Sequence, residues 1–219
     1  MSGAGTGTVL LLGATGLVGA AALELLLADP RWSAVRILVR RPPGQDRPRL
    51  RVRVLEDFAN LDAATAEFAV NAVLCAVGTT IRAAGSQAAF RAVDHDIPVA
   101  AAQLARAQGA AHFGLVSSLG ADPRSRVFYS RVKGEVEEEV RRLGPASIAI
   151  LRPSLLLGPR REFRLGEALA KPLGFLIPGR YRPVQAAAVA RVLVDAAMLR
   201  RPGVEVIESV EIRRRGGGT

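Results

Sequence analysis

The sequence predicts an α/β fold, a doubly wound parallel sheet covered by helices on both faces. Three observations carry this. Short apolar runs without helical period alternate with helix-like stretches along the whole chain. The first run, Val9 to Leu12, is followed by Gly13, Gly16 and Gly19 and then by a helical stretch from Ala20 to Leu27. Finally, 219 residues at 49% hydrophobic content suit one domain, 1–219, with a well-buried core.

A buried strand, a glycine turn and a helix N-terminus in that order build an anion site. Free amides at the helix start point at a pyrophosphate, and missing Cβ atoms let a cofactor's backbone come close. Dinucleotide binding in a Rossmann fold is the reading for this stretch; a tight strand-to-helix turn without ligand is the alternative. Right-handed crossovers then give strand order 3-2-1-4-5-6, with Val204 to Ile212 as a seventh strand.

The first helix ends near Asp29-Pro30, which proline cannot continue. Val35 to Val39 is the second strand and runs into Arg40 and Arg41. In dinucleotide folds this position lies beside the adenosine ribose, where a carboxylate accepts from a 2′-hydroxyl and arginine accommodates a 2′-phosphate. No acid follows before Asp46, so NADP(H) is expected over NAD(H), with surface arginines as the plainer alternative. Pro42 to Pro48 is a turn-rich connector. Leu50 to Leu55 alternates arginine with aliphatics, as a strand with one exposed face or near an edge. Asp57, beside Phe58 at its end, either bonds the adenine amino group or caps the next turn. A short helix from Ala63 to Ala69 precedes the fourth strand, Ala72 to Val77, and Gly78, Thr79 and Thr80 then line the cofactor groove.

Ala83 to Gly85 reads as loop and Ala88 to Ala107 as a long helix, kinked or offset at Pro98. Asp94, His95 and Asp96 are adjacent on that helix and do not converge on one ion, so no metal is expected. His112 to Val116 is the fifth strand and delivers Ser117 and Ser118 to the sheet edge where ligands sit. The next helix opens at Phe128 and runs to about Arg142. Its Tyr129 and Lys133 share one face, in a chain with only two tyrosines and two lysines. An ammonium there lowers a neighbouring phenol's pKa and bonds a ribose hydroxyl. Ser147 to Leu151 is the sixth strand, closed by Arg152-Pro153-Ser154. Beyond it come a charged loop, Arg160 to Arg164, a helix, Gly166 to Leu173, and a Gly/Pro-rich loop, Gly174 to Pro183. Pro183 to Leu199 is the last long helix, and Arg213 to Thr219 a disordered-looking tail. The part after about residue 153 is too short for its own core and is expected to form a small substrate lobe.

The net charge of +10 comes almost wholly from arginine, and aromatics are 5%. No nucleic-acid-binding signature accompanies it, so a solvated arginine-rich surface is expected rather than a specific nucleic-acid partner. Cys75 is the only cysteine, which excludes an internal disulfide. Met1 to Leu27 has no basic start, contains Glu24 and is broken by glycines, so neither a signal peptide nor a membrane span is read there. A cytoplasmic monomer or small homo-oligomer is the expectation.

Leu12-Gly13-Ala14-Thr15-Gly16-Leu17-Val18-Gly19, Tyr129-x-x-x-Lys133 with Ser117-Ser118 upstream, and Leu151-Arg152-Pro153 together resemble the extended and atypical short-chain dehydrogenase/reductases. Leu115 to Asp122, Phe128-Tyr129 and Val132 to Glu137 look closest to that family's Tat-interacting-protein oxidoreductase group. The resemblance implies hydride transfer between nicotinamide C4 and a small carbonyl or alcohol. Tyr129 is then the acid/base, Lys133 holds the ribose, and Ser118 or Ser117 bonds the substrate oxygen. It implies cofactor contacts from Gly13, Thr15, Gly16, Leu17, Val18 and Gly19, from Arg40, Arg41, Asp57 and Phe58, and from Val77, Gly78, Thr79 and Thr80. Ser117, Tyr129, Lys133, Pro153 and Ser154 complete that set. The rival function is an NADPH-binding regulatory or scaffold protein without turnover; a polyanion-binding protein rests on charge alone.

Overall fold

All four residues from Val9 to Leu12 are fully buried, and they alternate between two cores. Val9 and Leu11 face one helical layer; Leu10 and Leu12 face the other. A strand buried on both faces has no polar side, which is why the run is continuously apolar. The computed structural model describes residues 7–42, 44, 46–158 and 179–217.

Seven strands form one parallel sheet: β1 (Gly7–Leu12), β2 (Trp32–Val39), β3 (Leu50–Val54), β4 (Ala72–Cys75), β5 (His112–Val116), β6 (Ser147–Arg152) and β9 (Gly203–Glu208). Their order is β3-β2-β1-β4-β5-β6-β9, as the sequence predicts. β7 (Leu156–Leu157) and β8 (Val184–Gln185) pair as a separate small sheet. The helices are α1 (Leu17–Ala28), α2 (Ile81–Ala84), α3 (Gln87–Arg91), α4 (Ile97–Ala107), α5 (Phe128–Leu143), α6 (Ala186–Leu199) and α7 (Ser209–Gly216). A 3-10 helix spans Leu61–Phe68. Residues of α1 and α6 build one core, and residues of α4, α5 and the 3-10 helix build the other. No helix among the described residues is long and apolar enough to cross a membrane.

The structure corrects several boundaries. The expected strand Val204 to Ile212 ends at Glu208, and the chain turns into α7. Ile212 is fully buried in the core that holds α6, and Glu211 pairs with Arg214 and Arg215 one turn on. These contacts make a helix of most of the expected tail. The helix expected from Ala88 to Ala107 is α3 and α4 joined by a π-helical segment, Ala92–Asp96, in which Ile97 N donates five residues back to Ala92 O. Pro98 follows at once and has no N–H to continue the regular ladder. Ala83 and Ala84 are helical rather than loop, because Thr80 caps α2 through Ala83 N at 3.1 Å. The charged loop 160–164 and the helix 166–173 lie outside the described residues.

β3 is a sheet edge, and Arg51 to Val54 are all exposed. The carboxyl ends of β1, β2, β4, β5 and β6 lie along one edge of the sheet, as parallel strands require.

Candidate functional site

At that edge the β1–α1 turn is held by Gly16 N donating to Gly13 O at 2.9 Å. Gly13 has φ +82°, and a Cβ there would stand 2.5 Å from Ala76 O. Only glycine fits both the left-handed backbone and the approach to the β4 end. Gly19 serves packing: an added Cβ would strike Gly13 O. Gly16 stands at the N-cap of α1 without a side-chain cap, and the first turn carries no acid. The helix amides and the positive end of its dipole are therefore open to an anion.

A cavity of about 830 Å³ opens over this turn. Gly13, Thr15 and Gly16 line one side; Val39 at the end of β2 with Arg40 just after it, and Glu56, Asp57, Phe58 and Ala59 after β3, line the next. Ala76, Val77, Gly78 and Thr79 continue it beyond β4. The far wall is Ala83, Ala84, Ala89, Ala92, Val93, Asp96, Ile97 and Ala100, a mostly small-residue surface that sequence reasoning missed. Its only signal was an alanine-rich helix, which serves packing as readily as ligand approach. Volume, glycine cradle and open amides fit a dinucleotide.

Nine of the expected cofactor residues therefore meet in one cavity: Gly13, Thr15, Gly16, Arg40, Asp57, Phe58, Val77, Gly78 and Thr79. Asp57 Oδ1 also accepts from Ala59 N at 2.9 Å, so it caps the turn while lining the cavity. Arg40 makes no ion pair among the described residues. Arg41 is exposed beside the cavity lining, not within it. Leu17 and Val18 are the first turn of α1, Val18 in the core. Thr80, expected to offer its hydroxyl to the groove, uses it to cap α2.

The expected catalytic residues, Ser118, Tyr129 and Lys133, do not line this cavity; Tyr129 and Lys133 stand on α5. The Tyr129 ring packs on Phe90 of α3, centroids 5.5 Å apart, and Phe90 also meets Phe128 edge-on at 5.8 Å. Lys133 lies one turn on and is buried, with Nζ 2.7 Å from Asp94 Oδ1. Asp94 Oδ2 accepts from Thr79 N at 2.8 Å. Burial, the largest single influence, presses the Lys133 ammonium toward neutrality, but the Asp94 carboxylate together with Tyr129 and Cys75 holds the lysine above its ordinary range. Asp94 thus turns to Lys133, whereas His95 Nδ1 meets Asp96 Oδ1 at 2.8 Å.

The two serines separate. Ser117 Oγ donates to Glu137 Oε1 at 2.6 Å. Glu137 is fully buried and also accepts from Arg152 Nε at 2.9 Å and from Arg141 at 2.9 Å. Ser118 Oγ is buried with no hydrogen-bond partner among the described residues. Pro153 O accepts from Leu119 N at 2.8 Å and so braces the loop that carries Ser118. Ser154 is tied elsewhere, its Oγ donating to Arg182 O at 2.5 Å and its N to Ser209 Oγ at 3.3 Å. Sequence reasoning missed Asp94 and Glu137 as parts of the site. Glu137 had a readable signal: Tyr129, Lys133, Glu137 and Arg141 form one i, i+4 ridge beside Val132, Val136 and Val140.

A family model described as NAD(P)H-binding matches residues 13–199. Protein HTATIP2 of Rattus norvegicus is 36% identical over 210 residues, covering 93% of this chain and 86% of that protein. Protein FMP52, mitochondrial, of Candida albicans is 34% identical over 197 residues, covering 85% of this chain and 86% of that protein. Among solved structures, MoeE5 in complex with UDP-glucose and NAD has a TM-score of 0.74 at 18% identity, covering 92% of this chain and 75% of that one. At that identity the likeness speaks for the fold alone. The expected cytoplasmic location does not stand, because the fungal relatives are named mitochondrial. Composition does not read an organelle address.

Proposed function

The chain belongs to the NAD(P)H-binding family, with rat HTATIP2 and fungal FMP52 among its relatives, and from this we infer that it is an NADP(H)-dependent oxidoreductase of the short-chain type. The observation that carries the reading is the Lys133–Asp94–Thr79 connection. It joins the Tyr129/Lys133 face of α5 to the lining of the dinucleotide cavity. The nicotinamide, when bound, supplies or takes up a hydride at a small carbonyl or alcohol. Tyr129 passes a proton to or from the substrate oxygen. Ser118 donates a hydrogen bond to that oxygen, since its hydroxyl is free while Ser117 is held by Glu137. Lys133 has ammonium protons beyond the one facing Asp94 and holds the ribose. Amides of the first turn of α1, from Leu17 on, seat the pyrophosphate.

Arg40 supports NADP(H) over NAD(H), as the cation at the end of β2 that lines the cavity. Its pairing with a 2′-phosphate contributes on the order of 1.5–3 kcal/mol, tenfold or more in affinity. Calorimetry should show NADPH binding at least about tenfold tighter than NADH, with the gap closed in Arg40→Ala. Equal affinities in the native protein would remove Arg40 from this role. A panel of carbonyl substrates followed by NADPH absorbance tests turnover itself.

One observation favours a second reading, a cofactor sensor without turnover. Lys133 faces a carboxylate, so Tyr129 sees a neutralised pair rather than a bare cation. NADPH binding with no oxidation of it by any carbonyl compound would favour the sensor.

A further inference from the structure

Among the described residues, Lys133 and Asp94 form the one ion pair in which both side chains are almost wholly buried, 5% and 1% exposed. Desolvation largely offsets the attraction in such a pair, so it is a poor device for stability alone. Its surroundings give it another task. Asp94 Oδ1 takes Lys133 and Oδ2 takes the Thr79 amide, so both carboxylate oxygens are engaged. Gly78 is close enough that an added Cβ would lie 3.4 Å from Oδ1. Asp94 also stands in the π segment Ala92–Asp96, whose Ala92, Val93 and Asp96 line the cavity. A π turn inserts one residue and rotates the helix phase, a device frequent at functional sites.

Building on the cofactor reading above, we propose that Asp94 is a positioning residue: it fixes the charge and place of Lys133 and couples them to the cofactor-facing backbone at Thr79. The titratable groups acting on Lys133 are Asp94 from the π segment, Tyr129 from its own helix and Cys75 from β4. Burial pushes the Cys75 thiol up to about 11, so Cys75 is uncharged at neutral pH. Asp94 is the carboxylate among them. Without its charge the main opposition to burial is gone, only the influences of Tyr129 and Cys75 remain, and the buried lysine loses its proton below its ordinary range.

The test is a titration of NADPH fluorescence against the full chain between pH 6.5 and 9. The native protein should bind with affinity constant within about twofold, because Lys133 stays charged throughout. Asp94→Asn keeps the side chain's size but removes its charge; its affinity should fall at least about tenfold between pH 7 and 9. Asp94→Asn combined with Lys133→Met should bind weakly and without that pH step, which assigns the step to Lys133. A simple loss of packing would weaken binding without creating a new titration. If Asp94→Asn follows the native pH profile, the proposal is overturned.

A second measurement needs no variant at position 94. The chain has two lysines, Lys133 and Lys171, so ¹³C-lysine labelling gives two Cε signals, assigned through Lys171→Arg. The Lys133 signal in native protein should titrate with its midpoint above the ordinary lysine value of 10.5. A midpoint at or below that value overturns the coupling to Asp94. Should the native protein bind neither NADPH nor NADH, the cofactor reading fails, and the lysine titration still decides whether Asp94 fixes the charge of Lys133.

Discussion

Tyr129 loses only its hydroxyl in Tyr129→Phe; the ring that packs on Phe90 stays. If this hydroxyl carries the proton, turnover should fall by roughly 10²–10⁴-fold while NADPH affinity barely moves. Wild-type turnover of a true substrate by the variant would exclude the assigned acid/base. The serines should respond differently. Ser118→Ala removes the free hydroxyl and should lower turnover at near-native stability. Ser117→Ala takes a donor from the fully buried Glu137 and should cost about 1–3 kcal/mol in urea unfolding. His112 sets an acid limit. It is 1% exposed, its Nδ1 meets Ser147 Oγ at 2.8 Å, and its Nε2 has no partner among the described residues. Burial pushes its pKa down to about 4, so the fold favours the neutral ring. Its stabilisation is full above about pH 6.5, the unfolded value, and fades as pH falls toward 4. Between pH 7.5 and 5 this amounts to about 2 kcal/mol, and His112→Gln should flatten that part of the pH–stability curve.

At the scale of elements, the β1–α1 turn is the least forgiving join. Gly19→Ala would place a methyl on Gly13 O, in backbone that Gly13 fixes against Ala76. A loss of at least about 2 kcal/mol is expected, together with weakened NADPH binding, because α1 must retreat from the pyrophosphate seat. Binding at native strength in Gly19→Ala would mean that the helix start does not hold the cofactor. α5 carries two sets of residues along one ridge: Tyr129 and Lys133, the pair proposed for the chemistry, and Glu137, which ties the helix to Ser117 after β5 and to Arg152 at the end of β6 while Arg141 pairs back to it within the helix. Arg152 extends that lock to Glu208 at the end of β9, at 3.1 Å.

For the whole molecule, a ligand that binds only the folded chain stabilises it by mass action. NADPH at a hundredfold excess over its dissociation constant should add about 2.7 kcal/mol, or roughly 5–10 °C in Tm for a domain of this size. No shift with either dinucleotide would contradict the cofactor reading. Part of the arginine-rich surface is paired within the chain, Arg31 with Asp29, Arg47 with Glu24, Arg91 with Glu135 and Arg142 with Glu139, and the net charge of +10 comes with no nucleic-acid-binding signature in the sequence. Nucleic-acid binding is therefore expected to be weak, salt-sensitive and unselective, and a nanomolar preference for one sequence at physiological salt would overturn this.

The sequence by itself determined the sheet and the cofactor turn. Parallel strands buried on both faces read as unbroken apolar runs, and handed crossovers leave few ways to order them. The glycine turn was legible because its requirement is local: a left-handed backbone and a close approach admit only glycine. Tyr129 and Lys133 were legible because helical spacing alone puts them on one face. What met those residues was decided by the tertiary structure. Asp94 reaches Lys133 from another element, Glu137 takes Ser117 and leaves Ser118 free, and Ile212 turns the end of an expected strand into α7. Local periodicity tells which face a polar group occupies, but not which distant group completes it. That pairing exists only once the helices are packed across the sheet.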